Sequence, residues 1–138
     1  MPRSPDLAAC ADCHCLAARR QARKITRLYD AHLRPHGLRA TQFSVLVALE
    51  LGGGARLGAL AESLGLDRTT LTRSAALMER TGWLEAASSA DARERPLRLT
   101  AAGRRKLLAA LPAWRAAQRA AARSARSAAT RRPAPRSA

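Results

Sequence analysis

Residues 57–82 contain two short helical patterns joined by a glycine, and this arrangement constrains the fold more than any other feature of the sequence. Gly65 lies between the two patterns and can adopt the positive φ that a tight turn requires. Ala61, four residues earlier, is small enough for the two helices to cross closely. Asp67 is a favourable N-cap for the second helix, and Gly82 ends it. Together these residues predict a helix-turn-helix whose inner face consists of apolar side chains: Leu57, Leu60, Leu64, Leu66, Leu71, Ala75 and Met78.

The polar face of the second predicted helix has the composition of a DNA-reading surface. Arginine can form two hydrogen bonds to guanine, and threonine can bond to bases or phosphates and contact the thymine methyl group. The N-terminus of a helix also favours a phosphate. The alternative interpretation is a helical hairpin whose polar face is simply solvated. The predicted DNA-binding residues of this helix are Arg68, Thr69, Thr70, Thr72 and Arg73.

A β-hairpin is predicted directly after the helix-turn-helix. Residues 83–86 have the pattern of a short strand, residues 88–94 are polar, and residues 97–99 alternate like a returning strand. A hairpin that follows a recognition helix is typical of a wing. We therefore expect Arg93 and Arg95 to reach the neighbouring groove of DNA, the alternative being an ordinary exposed turn.

Helical patterns flank this unit on both sides. A long helix is predicted from about Ser4 to a stop at Pro35, and a buried helix begins at Thr41. A last helix is capped by Thr100 and is kinked or restarted at Pro112. The predicted fold class is therefore mainly α with a small β-hairpin.

The last part of the chain differs sharply in composition from the rest. From residue 120 onward it contains only Ala, Arg, Ser, Thr and Pro, which offer little to bury beyond alanine methyl groups. We therefore predict one domain over residues 1–119 and a tail over residues 120–138 that is at least partly disordered.

The charge of the chain favours a nucleic-acid partner. Lys and Arg total 25 against 10 Asp and Glu, which gives a formal net charge of +15. Nucleic acid is the commonest partner of so basic a chain, and an anionic membrane surface is the rival. No stretch approaches the roughly 20 apolar residues of a membrane span, and residues 1–10 lack the apolar run of a signal peptide. The sequence thus predicts a cytoplasmic protein that binds DNA and does not bind a membrane.

The chain resembles the MarR family of bacterial transcriptional regulators over about residues 10–118. The resemblance lies in an ordered set of motifs: Tyr29-Asp30, Leu33-x-x-x-Gly37-Leu38, Thr41-Gln42-Phe43-x-Val45-Leu46, Leu60-Ala61, Leu64-Gly65, Asp67-Arg68-Thr69-Thr70-Leu71-Thr72-Arg73, Glu79-Arg80-x-Gly82, Asp91-x-Arg93 and Leu99-Thr100-x-x-Gly103.

This resemblance implies a winged helix-turn-helix with dimerisation helices at the N- and C-termini, and a homodimer that binds a palindrome, usually as a repressor. It also implies that a small ligand enters between the dimer helices and the DNA-binding lobe, where Tyr29 and Phe43 match positions near the pocket. Two departures are visible: the wing looks short, and Ala, Arg, Ser and Pro occupy the place of the closing apolar helix. We therefore expect a truncated or degenerate C-terminal dimerisation helix and a weakened dimer.

Three cysteines, Cys10, Cys13 and Cys15, are clustered near the N-terminus. Some regulators of the MarR type sense oxidants through such a cysteine, and the nearby Arg19 and Arg20 favour a thiolate. We therefore consider redox sensing by the three thiols. The alternatives are haem attachment at the Cys10-x-x-Cys13-His14 pattern, a zinc site, and small residues that merely pack in a dimer helix.

The sequence as a whole predicts a regulator that binds specific double-stranded DNA, most simply a repressor relieved by a small ligand or by thiol oxidation. It shows no sign of an enzyme, and it implies neither a cofactor nor a metal. The alternatives are a c-type cytochrome that carries electrons and a winged-helix module that binds protein or RNA.

Overall fold

A computed structural model of the chain describes residues 7–87 and 96–130. Five α-helices account for most of this part: α1 (His14–Leu33), α2 (Ala40–Gly52), α3 (Leu57–Leu64), α4 (Arg68–Arg80) and α5 (Ala101–Thr130). Two short strands, β1 (Leu84–Ala86) and β2 (Leu97–Leu99), pair in antiparallel fashion between α4 and α5. The predicted fold class, mainly α with a small β-hairpin, is confirmed.

Helix α1 begins later than the sequence pattern suggested. Residues Ala8–Asp12 form a short 3-10 helix, and the backbone of Cys13 is extended before α1 starts at His14. The Cys13 thiol accepts a hydrogen bond from the Leu16 amide at 3.5 Å and so acts as the N-cap. The prediction of a single helix from Ser4 is therefore wrong, because a 3-10 helix and the extended backbone of Cys13 precede α1.

Helix α2 lies at the centre of the hydrophobic core. Its apolar residues recur on most sides, and Phe43, Val45, Leu46 and Leu49 are almost completely buried, as expected for a helix without a polar face. Its first turn is held by Asp30 of α1, whose carboxylate accepts a hydrogen bond from the backbone amide at position 40 at 2.7 Å. The core extends from α2 to residues of every other helix and both strands: Leu33, Leu60, Leu71, Met78, Leu84, Leu97 and Leu107.

The hairpin has a third short partner that the sequence did not reveal. Strands β1 and β2 pair Leu84 with Leu99, and Ala55, in the link between α2 and α3, forms an isolated antiparallel bridge to Leu97. The two amides of this bridge donate to the opposite carbonyls at 3.0 and 2.8 Å. The base of the hairpin is therefore tied to the helix-turn-helix as well as to α5.

Helix α5 is one continuous helix of 30 residues that passes through Pro112. It crosses the predicted boundary at residue 119 without a break, so residues 120–130 of the predicted tail are helical, while residues 131–138 lie outside the described residues. Beyond Trp114 its residues no longer join the core, and the helix continues alongside α1. We call this outer pair of helical segments, residues 14–27 and 115–130, the arm. None of the described helices is both long enough and apolar enough to span a bilayer.

Candidate nucleic-acid interface

The predicted helix-turn-helix is formed by α3 and α4. Helix α3 ends at Gly65, whose φ of 62° places it in the left-handed region, and the next amide, of Leu66, donates to the carbonyl of Ala61 at 3.0 Å. Leu60 and Ala61 are buried on the inner face of α3, opposite the buried stripe of α4. The outer face of α4 is consequently turned toward solvent by the packing of its inner face.

Asp67 fixes the start of α4 through Thr70. Its carboxylate accepts a hydrogen bond from the Thr70 amide at 2.8 Å and a second, short one from the Thr70 hydroxyl. These two bonds, the hydroxyl first, lower the pKa of the Asp67 carboxyl below its ordinary value. The carboxylate of Asp67 therefore already occupies the N-terminus of α4. For this reason we do not assign a DNA phosphate to that end of the helix, although the sequence alone favoured one there.

All five predicted residues of α4 are exposed, but their polar groups are not equally free. The Thr70 hydroxyl is bonded to Asp67, and the Thr72 hydroxyl donates to the carbonyl of Arg68 at 2.7 Å. The Thr69 hydroxyl makes no hydrogen bond to another described residue, and Arg68 and Arg73 have no ion-pair partner among the described residues. These three side chains therefore have donors to offer a ligand, whereas Thr70 chiefly positions the helix.

The structure adds residues of α2 to this surface. Arg39, the N-cap of α2, and Thr41 line a groove together with Thr70, Arg73 and Leu77 of α4. The sequence offered only a weak signal for this placement, an arginine and a threonine at a helix start. What brings them beside α4 is the packing of α2 in the core, which a local pattern does not contain.

The wing is described only at its base. Glu85 of β1 and Arg98 of β2 form an ion pair at 2.8 Å, and the two strands pair as an antiparallel hairpin. Arg93 and Arg95 lie outside the described residues, so their contact with DNA stays a prediction.

The three cysteines are free and exposed at the beginning of α1. Cys10 lies in the 3-10 helix, Cys13 caps α1, and Cys15 follows in its first turn. Within residues 7–87 and 96–130, no three His, Cys, Asp or Glu side chains are grouped so that they could hold a metal ion.

The two residues predicted to lie near a ligand pocket both contact α5, and their partners there, Gln118 and Trp114, lie one helical turn apart. The Tyr29 hydroxyl of α1 donates a short hydrogen bond to Gln118 of α5. Phe43 instead stacks on Trp114, with ring centroids 5.9 Å apart and an angle of 14° between the planes. This aromatic pair forms one wall of an open groove of about 500 Å³ whose other apolar lining residues come from α2, α3 and α5: Val47, Ala48, Leu51, Leu64 and Leu111.

Comparisons with known proteins agree with this architecture. A sequence model of the MarR family matches residues 36–94, which include α2, the helix-turn-helix and β1. A crystal structure of the transcriptional regulator MosR from M. tuberculosis in complex with DNA is 43% identical in sequence, with 78% of each chain covered and a TM-score of 0.70. A second structure of MosR is 38% identical, with 82% of each chain covered and a TM-score of 0.73.

The likeness extends to more distant structures and does not extend to curated sequences. The apo form of MarR from E. coli is 21% identical and has a TM-score of 0.69, with 85% of this chain and 90% of that chain covered, which shows a common fold. Among curated proteins, no sequence matches this chain.

Proposed function

The chain belongs to the MarR family of transcriptional regulators, and from this premise we propose that it binds a specific sequence of double-stranded DNA through α4. The observation that carries the proposal is the division of α4 into two faces. Leu71, Ala75 and Met78 are buried against the rest of the helix-turn-helix, while Arg68 and Arg73 are exposed without an ion-pair partner among the described residues. A crystal structure of the similar protein MosR is a complex with DNA, which supports the same role here.

The roles of the side chains follow from which groups are free. Arg68 and Arg73 can each bond to guanine or to phosphate, and Thr69 has a free hydroxyl for a base or phosphate. Thr72 and Thr70 contribute mainly their methyl groups, because their hydroxyls are bonded within the helix. We assign Arg39 and Thr41, beside α4, to the phosphate backbone.

Single substitutions in α4 test this assignment. We expect Arg68→Ala and Arg73→Ala each to weaken binding to an operator duplex isolated from a random pool. A base-reading arginine costs about 1–3 kcal/mol and relaxes specificity, whereas a phosphate contact weakens binding to all sequences alike. Arg80→Ala, at the other end of the same helix, is the matched control and should bind like the parent. Parental affinity in both α4 variants would remove the assignment.

We further propose that the protein acts as a repressor and that a small apolar, aromatic molecule in the groove beside Phe43 and Trp114 relieves repression. An aromatic ligand suits this groove, because two stacked rings form one wall and most of the other lining side chains are aliphatic. A Trp114→Leu substitution should abolish any effector response of operator binding while leaving the affinity without effector unchanged. An equal response in that variant would exclude this groove.

Thiol oxidation is the second route of relief that we propose. The three exposed cysteines lie at the start of α1, so a disulfide that involves Cys13 would remove the cap of that helix. Since α1 forms half of the arm, such a change would reach the part of the fold through which the family dimerises. We propose a homodimer for this chain on the same grounds.

The other functional classes have less support. The c-type cytochrome alternative rests only on the Cys10-x-x-Cys13-His14 pattern, whereas the family match covers α2 to the hairpin. The similar proteins named here are regulators, which supports a protein that is not an enzyme. Binding to duplex DNA in preference to RNA of the same sequence separates the proposal from a winged-helix module that binds RNA, and we place the protein in the cytoplasm with its DNA.

A further inference from the structure

A second cavity, of about 330 Å³, lies where the end of α1 and the start of α2 meet α4. Its polar lining side chains are Asp30, Arg34, Arg39 and Gln42. None of its lining residues belongs to the arm, and none lines the groove that we assign to an aromatic effector. Arg39 and Gln42 also line the groove beside α4, so the cavity opens next to the proposed DNA-binding surface. We call it the α2 cavity.

Gln42 gives the α2 cavity a buried hydrogen-bond donor. It is the only buried polar residue of the described part of the chain, with 8% of its surface exposed. Its Oε1 atom accepts a hydrogen bond from the Arg39 amide at 2.9 Å, and its Nε2 group donates to no other described residue. No side-chain nitrogen or oxygen in this part is both fully enclosed and unpaired, so the Nε2 group opens into the cavity. A donor buried to this extent costs free energy unless an acceptor reaches it, so the cavity favours a ligand with an acceptor at this point.

Two guanidinium groups lie around the same space. Arg34 and Arg39 are exposed, and neither has an ion-pair partner among the described residues. Asp30 does not neutralise them, and one of its oxygens already accepts a hydrogen bond from the backbone amide at position 40. The arginines of α1, such as Arg20, are exposed too, but they do not line this cavity and have no buried donor beside them. The α2 cavity thus differs from the general positive charge of the surface.

The donors of the α2 cavity match a phosphate group. Arg34, Arg39 and Gln42 offer three separate sets of donors, and a phosphate monoester has three strong acceptor oxygens with a charge of about −1.5 to −2 at neutral pH. A carboxylate has two oxygens and one charge, so it would leave one set of donors and one arginine unmatched. The second oxygen of Asp30 accepts no hydrogen bond from a described residue, which suits a hydroxyl group on the rest of the ligand.

We propose that the α2 cavity binds a small phosphorylated metabolite with a hydroxyl group near its phosphate, the chemistry of a sugar or polyol phosphate. The bound ligand occupies Arg39 and places negative charge beside α4, so it competes with DNA. The competition rests on the proposed function, in which Arg39 contacts the phosphate backbone, whereas binding of the ligand does not. A backbone phosphate of DNA is the other source of the same chemistry, and the test separates the two.

Calorimetric titration of the full-length protein without DNA measures ligand binding directly, with glycerol 3-phosphate as the probe. Glycerol lacks the phosphate, glycerate carries a carboxylate in its place, and inorganic phosphate lacks the hydroxyl groups. We expect glycerol 3-phosphate to bind about tenfold more tightly than glycerate or inorganic phosphate, because each of these loses a hydrogen-bonded contact to a charged group. Glycerol should not bind.

Substitutions of the lining residues test where the probe binds. Arg34→Gln should weaken the binding of glycerol 3-phosphate about tenfold, through the loss of one charge-assisted contact. Gln42→Glu keeps an acceptor for the Arg39 amide but replaces the free donors with negative charge, and it should abolish binding. Arg20→Gln is the matched control, because it removes an exposed arginine about 21 Å further along α1. This control should bind the probe like the parent.

Operator binding separates a metabolite from a DNA phosphate. Glycerol 3-phosphate should lower the operator affinity of the parent but not that of Arg34→Gln, which without the probe should bind the operator like the parent. A loss of operator affinity in Arg34→Gln without the probe would assign the cavity to the DNA backbone and overturn the proposal.

Three calorimetric results would also overturn it: no binding of glycerol 3-phosphate to the parent, equal binding to Arg34→Gln, or binding of glycerate as tight as that of glycerol 3-phosphate. These results leave recognition of DNA through α4 untouched, since no DNA is present. Conversely, if the protein selects no operator, the calorimetric measurements still decide whether the α2 cavity binds the probe.

Discussion

Replacement of Gly103 by alanine is expected to disrupt the packing of α5 against the hairpin. Gly103 lies in the first turn of α5, where its amide donates to the Thr100 hydroxyl at 3.0 Å, and it is buried against the backbone of Trp83. A Cβ at this position would lie 2.0 Å from the carbonyl oxygen of Trp83 and 2.9 Å from its carbonyl carbon. The backbone would have to move by roughly an ångström to reach a tolerable distance.

The cost follows from what must move. Overpacking of a core costs typically about 1–3 kcal/mol, and we expect the upper end of this range because the obstacle is backbone rather than a flexible side chain. The same movement breaks the hydrogen bond from the Thr100 amide to the Trp83 carbonyl, 3.0 Å long. Gly103→Ala should therefore lower the free energy of unfolding by about 3 kcal/mol.

Gly58→Ala is the matched control. Gly58 lies in the first turn of α3 with open space around a Cβ, so alanine there should raise stability by about 0.4–1 kcal/mol through a smaller entropy of the unfolded chain. Urea unfolding followed by tryptophan fluorescence measures both variants, with Trp83 and Trp114 as reporters. Equal stability of Gly103→Ala and the parent would refute the close packing of the hairpin against α5.

Four further predictions concern the cap of α4, the thiols and the arm. The lowered pKa of Asp67, caused first by the Thr70 hydroxyl, means that its stabilising contribution is complete above the ordinary value of 3.8 and is lost as pH falls below it. The parent should therefore lose more stability in acid urea titrations than Asp67→Asn, which caps without titrating. Peroxide should lower operator affinity reversibly, and a triple serine variant of Cys10, Cys13 and Cys15 that responds like the parent would refute sensing by these thiols. Sedimentation at micromolar concentration without DNA should show a monomer or a weak dimer, because the arm carries unbalanced like charge, and a tight dimer would contradict this. Deletion of residues 120–138 should make the salt dependence of operator binding shallower.

The sequence predicted the helix-turn-helix well because its signals are local. Gly65, Asp67 and the apolar stripe of α4 each determine the conformation within one or two turns, so their effect does not depend on distant residues. The same holds for the hairpin, whose paired leucines, Leu84 and Leu99, alternate with polar residues.

What the sequence did not predict depends on tertiary contacts or on weak propensities. The contacts of Tyr29 and Phe43 with α5, and the approach of Arg39 to α4, follow from how α1, α2 and α5 pack, which no short pattern encodes. Helix α5 continues to Thr130 because its second half is rich in alanine, the best helix former, although these residues have little apolar surface to bury. A low capacity for burial limits the packing of these residues more than it limits helix formation.

Selection of bound duplexes from a random pool tests the central claim most directly. If α4 reads base edges, the parent protein should enrich a defined sequence, with half-sites about 10 base pairs apart when two subunits bind together. The Arg68→Ala/Arg73→Ala variant should enrich no sequence. Enrichment of no sequence by the parent, or of the same sequence by both proteins, would contradict recognition of DNA through α4.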